Sequence, residues 1–359
     1  IQSNMLLSIT LLLAAVPVAL GRHDEYKILE GHTAREDYHS PLPHTYISED
    51  ELPDNFHWGN VNGKSYLTHS LNQHIPQYCG SCWAHGALSA LGDRIKITNS
   101  SKDEINLSIQ YVLNCGTHMA GSCHGGSHTG TYEFIKSKGH VPYDSCMPYM
   151  ACSHESKEGF CEHVDTTCSA ANTCKTCDTF AGMGGACTEI DYYPNSTISE
   201  YGTYSIMTSP KDIAHKLKAE IYARGPVATG VNAEPLVKYQ GGIVNDTKLW
   251  HMIINHIVSI VGWGLDEETG NEYWIVRNSW GQYWGEMGYF RILAGRNSLG
   301  IEMEVAWANP GSFTVNNYPC FENGENCVKT AHYKDPSKDL DSLKLRLAGE
   351  KTKKGGVRG

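Results

Sequence analysis

The sequence predicts an α+β protein with helices early and strands late. Apolar residues recur at helical spacing between residues 81 and 138, and β-rich segments separated by glycines follow Pro226. Between them, Tyr143–Cys187 holds seven cysteines and no periodicity of its own. At 359 residues the chain has room for about two units of roughly 100–200 residues each. Its 29 Lys and Arg against 39 Asp and Glu give a net charge of −10, without the basic excess of a nucleic-acid binder.

Taken in order, Met5–Gly21 is an apolar run ending in small residues, so residues 1–21 are predicted to be a signal peptide, with Ala19-Leu20-Gly21 as its cleavage site. The run is shorter than the ~20 residues that span a bilayer. Residues 22–51 are polar, rich in His, Glu and Asp, and carry Pro41 and Pro43; they read as a short propeptide that forms no core of its own. Residues 52–66 are loop-like. Trp83, Ala84, Ala87, Leu88, Leu91 and Ile95 then mark a buried helix beginning near Cys82. A second helix is predicted over Ser108–Asn114, capped by Ser108, and a third over Gly130–Lys138. The cysteine block follows as a loop-rich segment stapled by disulfides. Ile213, Leu217 and Ile221 place a helix over Lys211–Ala223, and strands are predicted at Ile257–Val261, Tyr273–Val276 and Tyr289–Ile292. Residues 312–359 hold nine Lys and Arg against six Asp and Glu, a local excess of three, and read as a mostly disordered C-terminal extension after a small Cys320–Cys327 loop.

The chain has 13 cysteines, none before Cys79. Export to an oxidising compartment lets twelve pair and leaves one as an intermolecular partner or a reactive thiol. The sequons at Asn99, Asn106, Asn195 and Asn245 are candidate glycosylation sites on such a route. Cys82 is the candidate nucleophile. It lies where the helical period begins, and a helix N-terminus favours the thiolate. The Cys-x-x-Cys units Cys79/Cys82 and Cys174/Cys177 also open a redox or a zinc reading. Neither sits in the βαβ pattern of a redox site, and export favours disulfides over thiolate ligands. No cofactor and no metal is expected. A nucleophile needs a base and the base an orienter. His256 opens an apolar strand, and Asn278 follows another. Gln73, upstream of Cys82, offers an amide to a developing oxyanion, with the Cys82 N–H as the second donor.

The segment Cys79–Trp83 reads CGSCW. With His256 and Asn278 following in that order, the chain resembles the papain family of cysteine proteases over about residues 52–310. The resemblance implies a two-lobed fold. A helical lobe (about 75–190) would face an antiparallel β-barrel lobe (about 191–310), with the active site in the cleft between them. It implies peptide hydrolysis through a Cys82 thioester. Three extra residues, His74-Ile75-Pro76, are similar to the mini-loop of a carboxypeptidase branch of that family. His74 would then pair with a substrate's C-terminal carboxylate, Tyr78 would wall the same subsite, Gly125 and Gly126 would bind the substrate backbone, and Trp280 would shield the Asn278–His256 bond. The implied bridges are Cys79–Cys123, Cys115–Cys168, Cys146–Cys174, Cys177–Cys187, Cys152–Cys161 and Cys320–Cys327, leaving Cys82 free. Partners would be peptides and proteins with free C-termini and protein protease inhibitors, with no nucleic acid and no stable membrane insertion. The location would be the secretory pathway, lysosomal or extracellular. A broad endopeptidase, or a non-catalytic secreted binding protein on the same scaffold, are the other readings; the second would call for loss of one of Gln73, Cys82, His256 or Asn278. The chain departs from that branch in three ways. Residues 22–51 lack the cysteine with which its propeptide blocks the thiol, Thr229 and Val305 stand where a barrel bridge would be, and residues 311–359 extend past its end.

Overall fold

Helix α1 (Cys82–Thr98) is buried along nearly its whole length. Even the polar residues that fall on one face of it, His85, Asp93 and Lys96, are buried, so it lies inside the molecule. Gly86 is where it meets the sheet: an added Cβ would sit 2.8 Å from Cγ2 of Ile257. Helix α2 (Ile109–Cys115) is capped by Ser108, whose hydroxyl accepts from the Tyr111 amide. Helix α3 (His128–Lys138) is capped by Ser127 and stopped by Gly139 at φ 83°. Helix α4 (Pro210–Arg224) starts with Ser209 as cap and proline in its first turn. Each begins or ends within two residues of its expected place.

The structure is a computed structural model that describes residues 24–178, 184–204, 209–315 and 321–324. The expected signal peptide, the Cys320–Cys327 bridge and most of the C-terminal extension lie outside the described residues. Among the described residues nine strands form one sheet: β1 (Phe56–His57), β2 (Val141–Pro142), β3 (Asn195–Tyr204), β4 (Val227–Val231), β5 (Ile243–Val244), β6 (His256–Leu265), β7 (Glu272–Arg277), β8 (Tyr289–Leu293) and β9 (Val305–Phe313). Their order is β2-β3-β9-β4-β6-β7-β8-β5, with β1 on β6. All neighbours are antiparallel except β8 and β5. Thr229 and Val305 face each other across β4 and β9, so the two positions that lack a bridge are cross-strand partners.

Two buried clusters correspond to two lobes. One packs α1, α2 and α3 around Trp83, Leu91 and Phe134. The other fills the barrel around Trp263, Trp274, Trp307 and Phe290. Each fully buried side chain of this size contributes about 1.5–3 kcal/mol. A buried ion pair joins them: Arg277 at the end of β7 donates to Asp93 on α1 and, at 3.0 Å, to the Thr68 carbonyl. The loop-rich block is held by Cys115–Cys168, Cys146–Cys174, Cys152–Cys161 and Cys177–Cys187, and Cys79–Cys123 clamps the start of α1. Among the described residues Cys82 is the free cysteine. No helix among them is long and apolar enough to cross a membrane.

The segment from Asp24 to Glu51 has no core of its own but lies against both lobes. Tyr26 bridges to Gly126 and Asp37 to Tyr201. His32 meets Glu133 at 2.9 Å, and the Ile47 carbonyl accepts from His215 on α4 at 3.0 Å.

Candidate active site

Four elements converge at one end of α1. The helix supplies Cys82 in its first turn. Strand β6 begins with His256 and lies against α1, so the Ile257 amide donates to Cys82 Sγ at 3.3 Å. Asn278 follows β7 directly. The loop before Cys82 is zipped onto the segment after Asn278: Gln73 N donates to the Ser279 carbonyl at 2.9 Å, and Gly281 N to the Leu71 carbonyl at 3.1 Å. That pairing brings Gln73, His74, Asn278 and Trp280 together from positions 200 residues apart.

His256 Nε2 lies 2.8 Å from Asn278 Oδ1, assigned as an N–H donating to the amide oxygen. The same oxygen accepts from the Ser279 amide, which holds the Asn278 side chain in place. His256 therefore turns Nδ1 toward the thiol. Trp280 lies over the ring with centroids 5.0 Å apart, and both His256 and Asn278 are buried. The Gln73 side chain is fully buried; its Oε1 accepts from Ser279 Oγ at 2.7 Å, and its Nε2 donates to the Cys79 carbonyl at 3.1 Å. Tyr149 donates to the Gln73 carbonyl at 2.6 Å and contacts Ser81 Oγ at 2.7 Å, bracing the loop from below.

His74 and Tyr78 stack with ring centroids 5.1 Å apart on the far side of Gln73. The loop carrying them contains a cis Ile75–Pro76 peptide. A groove of about 460 Å³ opens beside them, lined by Asn72, Val237, Tyr283 and Trp284. On the opposite side Gly125 and Gly126 present their backbone. A Cβ on Gly126 would lie 2.2 Å from the Ala120 carbonyl, so only glycine fits there.

The sequence reading missed the centre of this site. The Glu25 carboxylate sits among all of these groups and is 7% exposed. Its Oε2 accepts from Gln73 Nε2 at 2.8 Å and lies 3.3 Å from His256 Nδ1. Its Oε1 accepts from Tyr78 Oη at 3.0 Å and lies 3.5 Å from His74 Nε2. Burial alone would raise this carboxyl, but the hydrogen bonds from His256, His74 and Gln73 prevail and hold it well below the usual carboxylate range. The Cys82 thiol moves the other way. Burial first, and then the Glu25 charge, push it well above its ordinary value. Both effects oppose the thiolate that the helix N-terminus favours. Glu25, Cys82 and His256 present O, S and N atoms within 4.8 Å of one another, a donor set that also suits zinc.

Nothing local could have singled out Glu25 from Asp24, Glu30 or Glu36, since its role comes from long-range contact. Ser279, which aims Gln73, was also missed. Of the candidate glycosylation sites, Asn245 is exposed, and Asn106 and Asn195 are half-buried. Asn99 is a buried helix cap whose Nδ2 donates to Asp103 at 3.0 Å, so the fold does not present it for modification.

Residues 52–309 match the family described as papain family cysteine protease, and the chain belongs to that family. It is 39% identical over 285 residues to "Cathepsin Z" of Onchocerca volvulus, covering 76% of this chain and 84% of that protein. It is 32% identical over 248 residues to "Cathepsin B-like protease 1" of Arabidopsis thaliana, covering 66% of this chain and 58% of that one. Procathepsin L2 from Tenebrio molitor shares the fold at a TM-score of 0.60 and 22% identity, covering 80% of this chain and 79% of its own. Bromelain from Ananas comosus, solved with the E64 inhibitor, is similar at a TM-score of 0.51 and 26% identity, covering 72% of this chain and 99% of that one. The protein is a cysteine peptidase of the papain family, similar to cathepsin Z, that acts on peptides or proteins.

Proposed function

We propose that the protein is a thiol carboxypeptidase that removes residues from free C-termini. Cys82 is the nucleophile and His256 its base. Nδ1 takes the thiol proton, and the thiolate attacks the scissile carbonyl carbon. Gln73 Nε2 and the Cys82 N–H donate to the resulting oxyanion. His256 returns the proton to the leaving amine, and the C–N bond breaks to leave a Cys82 thioester. Water, deprotonated by His256, then hydrolyses the thioester and restores the thiol. Asn278 holds the imidazole in orientation throughout, and Trp280 shields that hydrogen bond from water.

The observation that carries the reading is the pair of oxygens on Glu25. One carboxylate touches the oxyanion donor Gln73 through Oε2 and the His74–Tyr78 pair through Oε1. The two donor groups are therefore close together. A single residue, ~3.8 Å of chain, separates a peptide carbonyl from the terminal carboxylate beyond it. That spacing supports a cut one residue from the end, with His74 and Tyr78 holding the carboxylate. Charge-assisted bonds of this kind contribute about 1.5–3 kcal/mol. The five disulfides among the described residues and the exposed Asn245 sequon support passage through the secretory pathway to a lysosomal or extracellular site.

The test is digestion of one peptide as free acid and as C-terminal amide near pH 5, with the cuts located by mass spectrometry. Stepwise loss of single residues from the free acid alone is the expected result. Equal internal cutting of both peptides would leave an endopeptidase.

A further inference from the structure

We propose that Tyr283 is a further substrate-binding residue, its hydroxyl proton donating to the C-terminal carboxylate that His74 and Tyr78 hold. This rests on the carboxypeptidase reading and deepens it by adding a donor from the segment after Asn278.

Donors and acceptors around Asn72 single this hydroxyl out. The His74 backbone N–H can only donate, and it lies 3.0 Å from Asn72 Oδ1. That contact fixes which way round the Asn72 amide stands. The other end, Nδ2, therefore meets Tyr283 Oη at 2.7 Å, and Nδ2 can only donate. Tyr283 Oη must accept, so its own proton is not spent on Asn72. Among the described residues no acceptor takes that proton. It is left for water or for an acceptor on a bound substrate.

The ring is held as firmly as its oxygen, although Tyr283 is 83% exposed. Gly281 stands at φ 82°, and a Cβ there would lie 3.0 Å from Tyr283 Cε1 and 3.1 Å from Asn72 Nδ2. The ring thus folds back over Gly281, where both the backbone angle and the close approach call for glycine. Gly281 N donates to the Leu71 carbonyl, and Asn72 bridges to Trp280. The segment carrying Tyr283 is therefore zipped to the loop carrying His74.

Tyr283, Asn72, His74 and Tyr78 all line the same groove. Glu25 Oε1 shows how one carboxylate oxygen is met there, by Tyr78 at 3.0 Å and by His74 at 3.5 Å. A carboxylate has two oxygens with about four lone-pair sites in all. A substrate terminus held in the same way presents a second oxygen. Gln73 and His256 do not serve it, because they face the scissile peptide group one residue away. The unspent Tyr283 proton is the donor on the groove wall that fits it. A terminal amide replaces that oxygen with an NH2 group, which cannot accept, so the hydroxyl discriminates between the two kinds of chain end.

The test is steady-state kinetics on one peptide as free acid and as C-terminal amide, with the parent enzyme, Tyr283→Phe and Tyr283→Ala. Titration of Cys82 sets each enzyme concentration, so that misfolded protein does not count. Tyr283→Phe should lower the acid-to-amide ratio of kcat/KM by roughly three- to tenfold, with the loss lying in KM for the acid. The factor is modest because the hydroxyl is open to water. Tyr283→Ala should lower the ratio by about the same factor, since the hydroxyl and not the ring discriminates. His74→Ala should cost Tyr283→Phe about the factor that it costs the parent. If it costs Tyr283→Phe nothing further, Tyr283 acts only by placing His74 and the proposal is overturned. A parent that prefers the free acid, with a Tyr283→Phe enzyme that keeps the whole preference, would overturn the Tyr283 assignment and leave the carboxypeptidase reading standing. A parent with no preference would remove that reading and this inference with it.

Discussion

Gln73 shows how far one side chain's chemistry depends on its neighbours. Its amide can serve an oxyanion only if Nε2 faces the thiol, and Ser279 Oγ secures that by donating to Oε1. Gln73→Ala is expected to lower kcat by about 10²–10³, the usual effect of removing one oxyanion donor. Ser279→Ala leaves the amide present but free to turn. It should lower kcat by roughly tenfold with KM little changed, and steady-state kinetics on one peptide separates the two effects. The proposed nucleophile and its partners were legible in the sequence because each sits in a distinctive local context: CGSCW around Cys82, an apolar strand start at His256, a strand end at Asn278. Glu25 and Ser279 were not, because a lone carboxyl or hydroxyl acquires its role only from residues far away in the chain.

At the scale of elements, α1 and β7 work as a pair. Asp93 and Arg277 are both buried, and Arg277 immediately precedes Asn278. Their ion pair fixes the strand end that carries Asn278 against the helix that carries Cys82. Asp93→Asn strands the Arg277 charge and should cost about 3–5 kcal/mol of stability, read as a lower urea midpoint. Helix α1 was readable since its burial is all-round and its period is strong. Strands β3 and β9 were not. Strand β3 buries Ser196, Ile198 and Glu200 in alternation, so its period of two is written largely in polar residues. Strand β9 contains Asn309-Pro310-Gly311, which looks like a turn but is absorbed where the register with β3 shifts.

Across the whole molecule, pH acts through buried histidines. Burial presses His85 and His128 down to about 4, from an ordinary value of 6.5. The folded state keeps them neutral, while the unfolded chain takes up protons as pH falls through 6.5. Stability should therefore decline between pH 6.5 and 4. Between pH 7 and 5 each contributes a loss on the order of 1–2 kcal/mol. Melting scans should show a lower Tm at pH 5 than at pH 7, and His128→Gln should shrink that difference. Glu25 has the opposite sign: its contribution is complete above the ordinary carboxylate value and is lost only well below it. Glycan mapping on secreted material should find Asn245 occupied and Asn99 bare. The two-lobed plan was legible through the family resemblance, whereas the path of residues 24–51 across both lobes follows from tertiary contacts that no local pattern encodes.

The most direct test of the account is the ratio of kcat/KM for a free-acid peptide to that for its amide twin, measured in the trimmed enzyme and in His74→Ala. A ratio well above one that falls toward one in His74→Ala, with the amide rate unchanged, is the predicted result. A ratio near one in the parent enzyme, or one that survives His74→Ala, would contradict it.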